Sequence, residues 1–226
     1  RFNAWEVDEL IYLDISEDDA YDIRRDDLKV KNEGDVLNIL ESISKTCFMP
    51  LTFGGKIRTL EDIQARISRG ADKITLNTAA IETPDFITES ANHFGSQAII
   101  VSIDVKQYAD GRYEVYYSHG RKPTGKDPVA WAKEVERLGA GEIFLNSIDR
   151  DGMACGYDLP LIRSVVEAVN IPVIACGGVG RFAHFAEGII DGKADAVAAG
   201  NIFHFTELSA RQARKALLKM GVDVRQ

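Results

Sequence analysis

One segment of this chain occurs twice. Residues 52–58 read Thr-Phe-Gly-Gly-Lys-Ile-Arg, and residues 175–181 read Ala-Cys-Gly-Gly-Val-Gly-Arg, so a shift of 123 residues superposes their glycine pairs without a gap. At the same shift the Ala-Asp pair at 71–72 falls on the Ala-Asp pair at 194–195. Self-similarity across a whole strand–helix–strand unit indicates an internally duplicated fold.

The rest of the chain alternates short apolar runs with amphipathic segments. Seven apolar runs are predicted strands, and their near-continuous apolar character is typical of a parallel sheet covered on both faces. Regular alternation together with duplication predicts an α/β fold, a (β/α)8 TIM barrel built from two half-barrels. Seven strands are one short, so we expect a first strand and most of a first helix upstream of Arg1, and a single, N-terminally incomplete barrel domain over 1–226.

Each glycine pair follows a predicted strand and precedes a predicted helix. Glycine lets backbone N–H groups approach a bound anion, and a helix N-terminus favours negative charge. We call Gly54, Gly55 and Lys56 the first clamp, and Gly177 and Gly178 the second clamp. Two clamps predict a ligand with an anionic group at each end, whereas the alternative is two ordinary tight turns.

The charge balance narrows the ligand class. The net charge is −8 and no basic tract is present, which argues against nucleic acid and against an anionic membrane surface as partners. No apolar run reaches the length of a membrane span. Three cysteines, none in a Cys-x-x-Cys pair, indicate free thiols in a reducing, cytoplasmic location. The histidines are scattered, so packing or surface roles are expected for them, and neither a metal nor a cofactor is predicted.

Carboxylates follow three of the predicted strands. Asp14 ends the first visible strand, Asp104 ends the fourth, and Asp149 and Asp151 follow the fifth. The active site of such a barrel lies at the carboxyl ends of the strands, where a partly buried carboxylate is a candidate general acid or base. Helix or loop capping is the alternative role for each.

Charged residues also stand where strands begin. Glu9, Lys73 and Glu142 occupy the first position or so of their strands. Side chains at this end can point into the bottom of a barrel, so the three are predicted to form a salt-bridged ring. The alternative is three solvent-exposed strand starts. A further charged segment, residues 17–34, is interpreted as a solvated loop or as a flap over the site.

Together these residues resemble the cyclase subunit of imidazole glycerol phosphate synthase, and the resemblance covers essentially the whole chain. It rests on these motifs: Asp-Glu-Leu-Ile-Tyr-Leu-Asp-Ile at 8–15, Gly-Ala-Asp-Lys at 70–73, Asn-Thr-Ala-Ala at 77–80, Phe-Gly-Ser-Gln at 94–97, Gly-Ala-Gly-Glu-Ile at 139–143, Ser-Ile-Asp-Arg-Asp-Gly at 147–152, Gly-Tyr-Asp at 156–158 and Phe-His-Phe at 203–205.

The resemblance implies a duplicated barrel, a substrate with two phosphates and a glutaminase partner. Ammonia from that partner is expected to enter at the N-terminal face and to react at the opposite mouth, in a lyase and cyclisation reaction. Asp104 is implied as a general acid–base, with Asp14 and Asp151 as supporting carboxylates. The other implied roles are part of one phosphate site at Asn77 and Thr78, a second phosphate site at Gly152, Gly178, Gly200 and Asn201, an ammonia gate at Glu9, Lys73 and Glu142, and a glutaminase contact at Asp72. Lys56 in the first clamp is predicted to add a positive charge to the phosphate site, the alternative being a different ligand.

Some positions depart from that family. The first catalytic aspartate and an arginine of the gate are expected upstream of Arg1. Lys56 replaces a third glycine, and Cys176 replaces a serine. Three motifs, Cys-Phe-Met-Pro-Leu at 47–51, Asp-Pro at 127–128 and Ala-Ala-Gly at 198–200, are more similar to a paralogous branch that supplies nitrogen to amidino sugars of surface polysaccharides, and this branch is slightly favoured. A hypothesis of another class is a non-catalytic phosphate-ligand scaffold that activates a glutaminase.

Overall fold

A computed structural model of the chain describes residues 7–16, 36–205 and 209–224. Its strands, in chain order, are β1 (Leu10–Leu13), β2 (Leu51–Gly54), β3 (Lys73–Leu76), β4 (Ile99–Gln107), β5 (Tyr113–Tyr117), β6 (Lys122–Pro123), β7 (Glu142–Ser147), β8 (Val173–Cys176) and β9 (Ala196–Val197). Its helices are α1 (Val36–Ser44), α2 (Leu60–Ile67), α3 (Thr78–Glu82), α4 (Asp85–Phe94), α5 (Pro128–Arg137), α6 (Leu159–Val166), α7 (Phe182–Ile190), α8 (Ile202–Phe205) and α9 (Ser209–Lys219).

Seven of the strands form a parallel sheet in the order β1-β2-β3-β4-β7-β8-β9. Strands β5 and β6 form an antiparallel hairpin that extends β4. Helices follow the parallel strands in sequence, as in the predicted (β/α)8 fold, which is confirmed. The expected strand upstream of Arg1 stays a prediction. The charged segment 17–34 lies outside the described residues.

Contacts at the start of the strands show that the sheet curls around an axis. Lys73 Nζ, on β3, lies 2.7 Å from Glu142 Oε1 on β7 and 3.2 Å from Glu9 Oε2, just before β1. Strands β1 and β7 are four positions apart, which would separate them by roughly 19 Å in a flat sheet. The ammonium group of Lys73 can contact both glutamates only because the sheet curls, so that these side chains on alternate strands point towards a common centre.

Strand alternation divides the apolar residues into two cores. The larger core lies between the sheet and the helices and contains Phe53, Ile63 and Trp131. The smaller core fills the inside of the curled sheet with Ile100, Phe144 and Ile174. Side chains of β4 that precede or follow Ile100 by two positions therefore also face the interior.

Helix starts follow their sequence signals. Thr59 and Asp62 form a capping box at α2, in which Thr59 accepts a hydrogen bond from the backbone of Asp62. Asp127 caps α5 and Asp158 caps α6 with their carboxylates, and a proline stands in the first turn of both helices. These caps fix where each helix begins and so set the length of the loops at the mouth.

The strand registers correct the gap-free repeat. Lys73 and Ala196 are equivalent, because each directly follows the Asp of an Ala-Asp pair. Lys73 pairs with Thr52 and Ala196 pairs with Ile174, so Thr52 corresponds to Ile174, and Gly54 to Cys176 rather than to Gly177. The shift across the strand and the helix start is therefore 122 residues. Helix α7 has nine residues and α2 has eight, which restores the shift of 123 after the helix.

Asp72 and Asp195 show that the repeat is real despite this insertion. Asp72 Oδ2 accepts a hydrogen bond from Leu51 N at 2.8 Å, and Asp195 Oδ2 accepts one from Val173 N at 2.9 Å. Each carboxylate thus ties the start of one strand to the start of the strand before it. The corrected alignment places Lys56, not a glycine, at the position of Gly178.

The strand expected at 48–53 begins at Leu51 instead, and Phe48 before it is 87% exposed.

Across the three described ranges, each helix is too short or too polar to cross a lipid bilayer.

Candidate active site

Asp104 lies inside the mouth of the curled sheet, held by amides from both neighbouring strands. Asn77 Nδ2 lies 3.3 Å from Asp104 Oδ2, and Asn146 Nδ2 lies 3.3 Å from Asp104 Oδ1. Asn77 follows β3 and Asn146 belongs to β7, the two strands that flank β4. Each carboxylate oxygen therefore receives one of these hydrogen bonds, Oδ2 from the first half of the molecule and Oδ1 from the second.

Burial sets the protonation of this carboxyl. The pKa of Asp104 is raised to about 6, chiefly by removal from water, and the nearby negative charge of Asp151 acts in the same direction. The hydrogen bonds from Asn146 and Asn77 and the charge of His119 act in the opposite direction. A carboxyl with a pKa near 6 exchanges protons close to neutral pH, which is what general acid–base chemistry requires.

Sequence reasoning did not assign a role to Asn146. Its Oδ1 is buried without a hydrogen-bond partner in the described part of the chain, and a side chain at Gly177 would come within 3.1 Å of it. Its position in the strand was the signal in the sequence. Residues two apart on a strand face the same side of the sheet, and Asn146 stands two positions after Phe144, which faces the interior. An amide oxygen left open at this place can accept a hydrogen bond from a ligand.

Asp151 and Asp149 have different surroundings. Asp149 Oδ2 accepts a hydrogen bond from Gln107 N at 2.6 Å, so it fixes the loop against the end of β4. Asp151 is exposed, and its negative charge raises the pKa of both Asp104 and Cys176. The structure thus brings Asp151 to the mouth beside Asp104, and Asp149 anchors the loop that carries it.

Asp14 is buried at the end of β1. Its Oδ1 accepts hydrogen bonds from Ser16 N at 3.1 Å and from Ser16 Oγ at 2.6 Å. Its backbone oxygen lies 2.2 Å from where a side chain would start at Gly55. Asp14 therefore stands against the first clamp, on the β1–β2 side of the mouth, and its catalytic role stays a prediction.

The first clamp combines glycine with a lysine. Gly55 has a φ of +99° and Lys56 a φ of +53°, a left-handed conformation that non-glycine residues seldom adopt. Beside them, Thr78 Oγ1 accepts a hydrogen bond from Ser118 N at 3.3 Å. Asn77 donates its amide to Asp104 and to Ser102 O, and its role in phosphate binding stays a prediction.

The second clamp is made of backbone alone. Gly178 has a φ of +102°, and its carbonyl accepts a hydrogen bond from Gly156 N at 2.7 Å. A side chain at Gly152 would lie 3.5 Å from Asn201 Nδ2, so these two predicted residues are neighbours. Gly200 has open space around it, and its role in phosphate binding stays a prediction.

Cys176 lines the interior just before the second clamp. Burial raises the pKa of its thiol to about 12, with smaller effects from Asp151 and Asp104. The thiol therefore remains protonated and uncharged at neutral pH. Its closeness to both carboxylates shows that this departure from the family pattern lies within the site.

A hairpin tip covers part of the mouth. The turn between β5 and β6 contains Ser118, His119 and Gly120, and Ser118 contacts Thr78 as described above. A side chain at Gly120 would meet Ile148 Cδ1 at 3.3 Å. The tip thus reaches from the loop after β3 to the loop after β7 and crosses the end of β4.

The predicted salt-bridged ring is present at the opposite end. Burial opposes the charge of Lys73, but hydrogen bonds from its ammonium to Glu142 and Glu9 outweigh burial and raise its pKa. Lys73 therefore stays a cation between two carboxylates. Its role as a gate, and that of Asp72 as a partner contact, stay predictions.

The remaining histidines and cysteines do not form a further centre in the ranges that the structure describes. Within those ranges, no three His, Cys, Asp or Glu side chains are grouped so that they could hold a metal ion. His184 is buried at the start of α7, where its ring lies against Gly156 and Nδ1 accepts a hydrogen bond from Gly180 N. It packs the second clamp against the loop after β7.

A comparison with known protein families agrees with this architecture. The sequence model of the family described as "Histidine biosynthesis protein" matches residues 2–209, which include every site residue named above. The chain therefore belongs to the histidine biosynthesis protein family.

Proposed function

We propose that this chain is the ammonia-using synthase subunit of a glutamine-dependent enzyme of the imidazole glycerol phosphate synthase type. A glutaminase would dock at the N-terminal face of the barrel and deliver ammonia there. A substrate carrying phosphate groups would bind at the opposite mouth, between the two clamps. Membership of a histidine biosynthesis family supports an enzyme of this kind.

The observation that carries the proposal is Asp104 between the two clamps. Its carboxyl is oriented by Asn77 and Asn146 and has a pKa of about 6. A group with this pKa can give a proton to a leaving group and take one from an attacking nitrogen at neutral pH. Lyase and cyclisation steps need both transfers at one place.

We infer that ammonia would move along the inner face of the sheet, past two buried hydroxyl groups. Thr52 and Thr75 are buried on the inner face, and within the described residues neither hydroxyl has a hydrogen-bond partner. They lie between Lys73 at one end and Asp104 at the other. A buried hydroxyl without a hydrogen-bond partner costs free energy. Ammonia is small enough and polar enough to form a hydrogen bond with either hydroxyl.

The acceptor is proposed to belong to the polysaccharide branch rather than to histidine biosynthesis itself. The residues expected to handle ammonia, Glu9, Lys73 and Glu142, keep their contacts. The departures fall on Lys56 and Cys176, both at the substrate mouth. Departures at the mouth, together with three gate residues that match the family it resembles, favour the same nitrogen chemistry on a different phosphorylated acceptor.

The test is turnover with an ammonium salt. The full-length protein is mixed with the bisphosphate precursor of imidazole glycerol phosphate or with a sugar acceptor of the amidino-sugar type, and product is followed by mass spectrometry. Asp104→Asn should lower the rate by about three orders of magnitude or more, because the proton donor is lost while the shape is kept. Asp110→Asn, at the exposed turn between β4 and β5, is the matched control and should keep most of the rate.

The outcomes separate the hypotheses. Turnover of the bisphosphate precursor would establish the histidine reaction, and turnover of the sugar acceptor alone would establish the other branch. Near-normal turnover by Asp104→Asn would reject the assignment of this carboxyl. Absence of turnover with both acceptors, with glutamine hydrolysis by a partner stimulated by the phosphorylated ligand, would leave the non-catalytic scaffold.

A further inference from the structure

We propose that His119 is a ligand-contacting residue, positioned over the middle of the substrate between the two clamps. The inference rests on the proposed function, since it assumes a ligand that carries two phosphates. It adds a residue that neither the sequence motifs nor the family resemblance assigns to the site.

The position of the hairpin puts His119 over the mouth. Strand β5 pairs with the end of β4 so that Tyr116 lies opposite Asp104, and the turn follows one residue after Tyr117. One side of the turn is tied to Thr78, which follows β3 and belongs to the first predicted phosphate site, and the other side packs on Ile148 after β7. His119 stands between these two anchors, above the strand that carries Asp104.

The backbone of this turn is held in an unusual conformation. Ser118, His119 and Gly120 have φ values of +53°, +61° and +67° in succession. A non-glycine residue in this region costs of order 1 kcal/mol, and such residues cluster at binding and catalytic sites. Two adjacent non-glycine residues in left-handed geometry are more than a chain reversal requires, because Asn or Gly would form it at lower cost.

Left-handed residues elsewhere in the described ranges point to the same face. Lys56 lies in the first clamp and Ala154 lies in the loop after β7, and a side chain at Gly180 would collide with Ala154. Of the five non-glycine residues with a positive φ in the described ranges, only Lys193, after α7, lies at the other end of the strands. Strain is therefore concentrated where the ligand would bind.

Electrostatics agree with this placement. The charge of His119 lowers the pKa of Asp104, so the imidazole is close enough to act on the carboxylate across the mouth. His119 is exposed, which leaves its ring accessible from the opening. An imidazole can donate a hydrogen bond to, or accept one from, the hydroxyl groups on the carbon chain between the two phosphates of a phosphosugar.

The experiment compares two variants and two probes in the full chain. His119→Asn keeps a residue that tolerates left-handed geometry and removes the imidazole. His93→Asn changes an exposed histidine on α4 and is the matched control. Binding of fructose 1,6-bisphosphate, which carries a phosphate at each end, and of inorganic phosphate is measured by titration calorimetry.

We expect His119→Asn to weaken fructose 1,6-bisphosphate binding about tenfold, the loss typical of one hydrogen bond to a ligand. Inorganic phosphate binding should not change, and His93→Asn should match the unaltered protein with both probes. Ring proton signals of His119 should move on adding the bisphosphate, and those of His93 should not.

Other results overturn the inference in distinguishable ways. Equal bisphosphate affinity in His119→Asn would show that the ring does not contact the ligand. Loss of inorganic phosphate binding as well would show that the turn supports Thr78 rather than the ligand. If the unaltered protein binds neither probe, the two-phosphate ligand of the proposed function fails, and His119 loses its role with it.

Discussion

The two clamps occupy equivalent places in the two halves, yet they are built differently. The first has Lys56 where the second has Gly178, and both residues have a positive φ. The backbone path was thus kept in both halves while the side chain was not. The first clamp can offer an ammonium group to an anion, whereas the second offers N–H groups only.

The reason lies in what surrounds each turn. A side chain at Gly178 would begin 2.2 Å from Gly156 O, in the loop after β7, so no residue with a Cβ atom fits there. At Lys56 a complete side chain is accommodated. The comparison teaches that close approach of a neighbouring loop, and not the φ angle alone, decides which position must be glycine.

The largest expected effect comes from breaking this difference at the second clamp. Gly178→Ala should lower the free energy of unfolding by about 3 kcal/mol, because it adds a backbone collision to left-handed strain. Lys56→Gly should change it by less than about 1 kcal/mol, since relief of strain and a more flexible unfolded chain oppose each other. Urea unfolding monitored by circular dichroism measures both.

Gly95→Ala separates the two causes. Gly95 has a φ of +86° with nothing within 4 Å of an added Cβ atom, so this variant carries the strain without the collision. We expect a cost of about 1 kcal/mol. If Gly178→Ala proves no more harmful than Gly95→Ala, the proposed importance of the Gly156 contact is wrong.

A second effect concerns the carboxyl that both halves hold. The pKa of Asp104 is about 6, above its ordinary value of 3.8, so the folded state binds this proton more tightly than the unfolded state does. The free energy of unfolding should therefore fall as pH rises from about 4 to about 6, by roughly 3 kcal/mol at most for this group. Above pH 6 the loss is complete.

Asp104→Asn should remove that dependence. The variant should be more stable than the unaltered protein at pH 8, by about 2 kcal/mol, and should match it near pH 4. Taking the difference between the two proteins cancels the titration of other carboxylates. A stability difference that does not vary between pH 4 and pH 8 would mean that burial does not penalise the Asp104 charge.

Much of this architecture could be predicted from the sequence because it depends on local patterns. Apolar runs predicted where the strands lie. Asp104 was singled out because an acid directly after an apolar run has few structural roles, although its strand does not end there as predicted: β4 continues to Gln107. The Glu9, Lys73 and Glu142 contacts were predicted from their position at strand starts. Each inference needed only strand alternation and the geometry of a barrel.

What was missed depends on contacts between distant residues. The one-residue insertion in α7 was invisible because the glycine pairs match without a gap. Asn146 meets Asp104, 42 residues earlier, across a strand pairing that no local pattern reveals. His119 was predicted to have a packing or surface role, because the contact between its turn and Thr78, 40 residues before Ser118, exists only in three dimensions.

The smallest effect compares the two amides that hold Asp104. Asn77→Ala and Asn146→Ala each remove a hydrogen bond that lowers the pKa of Asp104, so both variants should raise it above about 6. Asn146 should have the larger effect, because Asn77 shares its amide with Ser102 O at 3.1 Å. Carbon-13 NMR of the Asp104 carboxyl over a pH titration measures the shift.

The result decides whether the second half controls the acid–base group as well as its own clamp. Asn170→Ala, which removes a surface amide bonded to Glu136, is the control and should leave the Asp104 titration unchanged. A larger shift in Asn77→Ala would assign control of Asp104 to the first half. In that case the half with the lysine-bearing clamp would also set the protonation of the carboxyl, because Asn77 directly precedes Thr78 of the same predicted phosphate site.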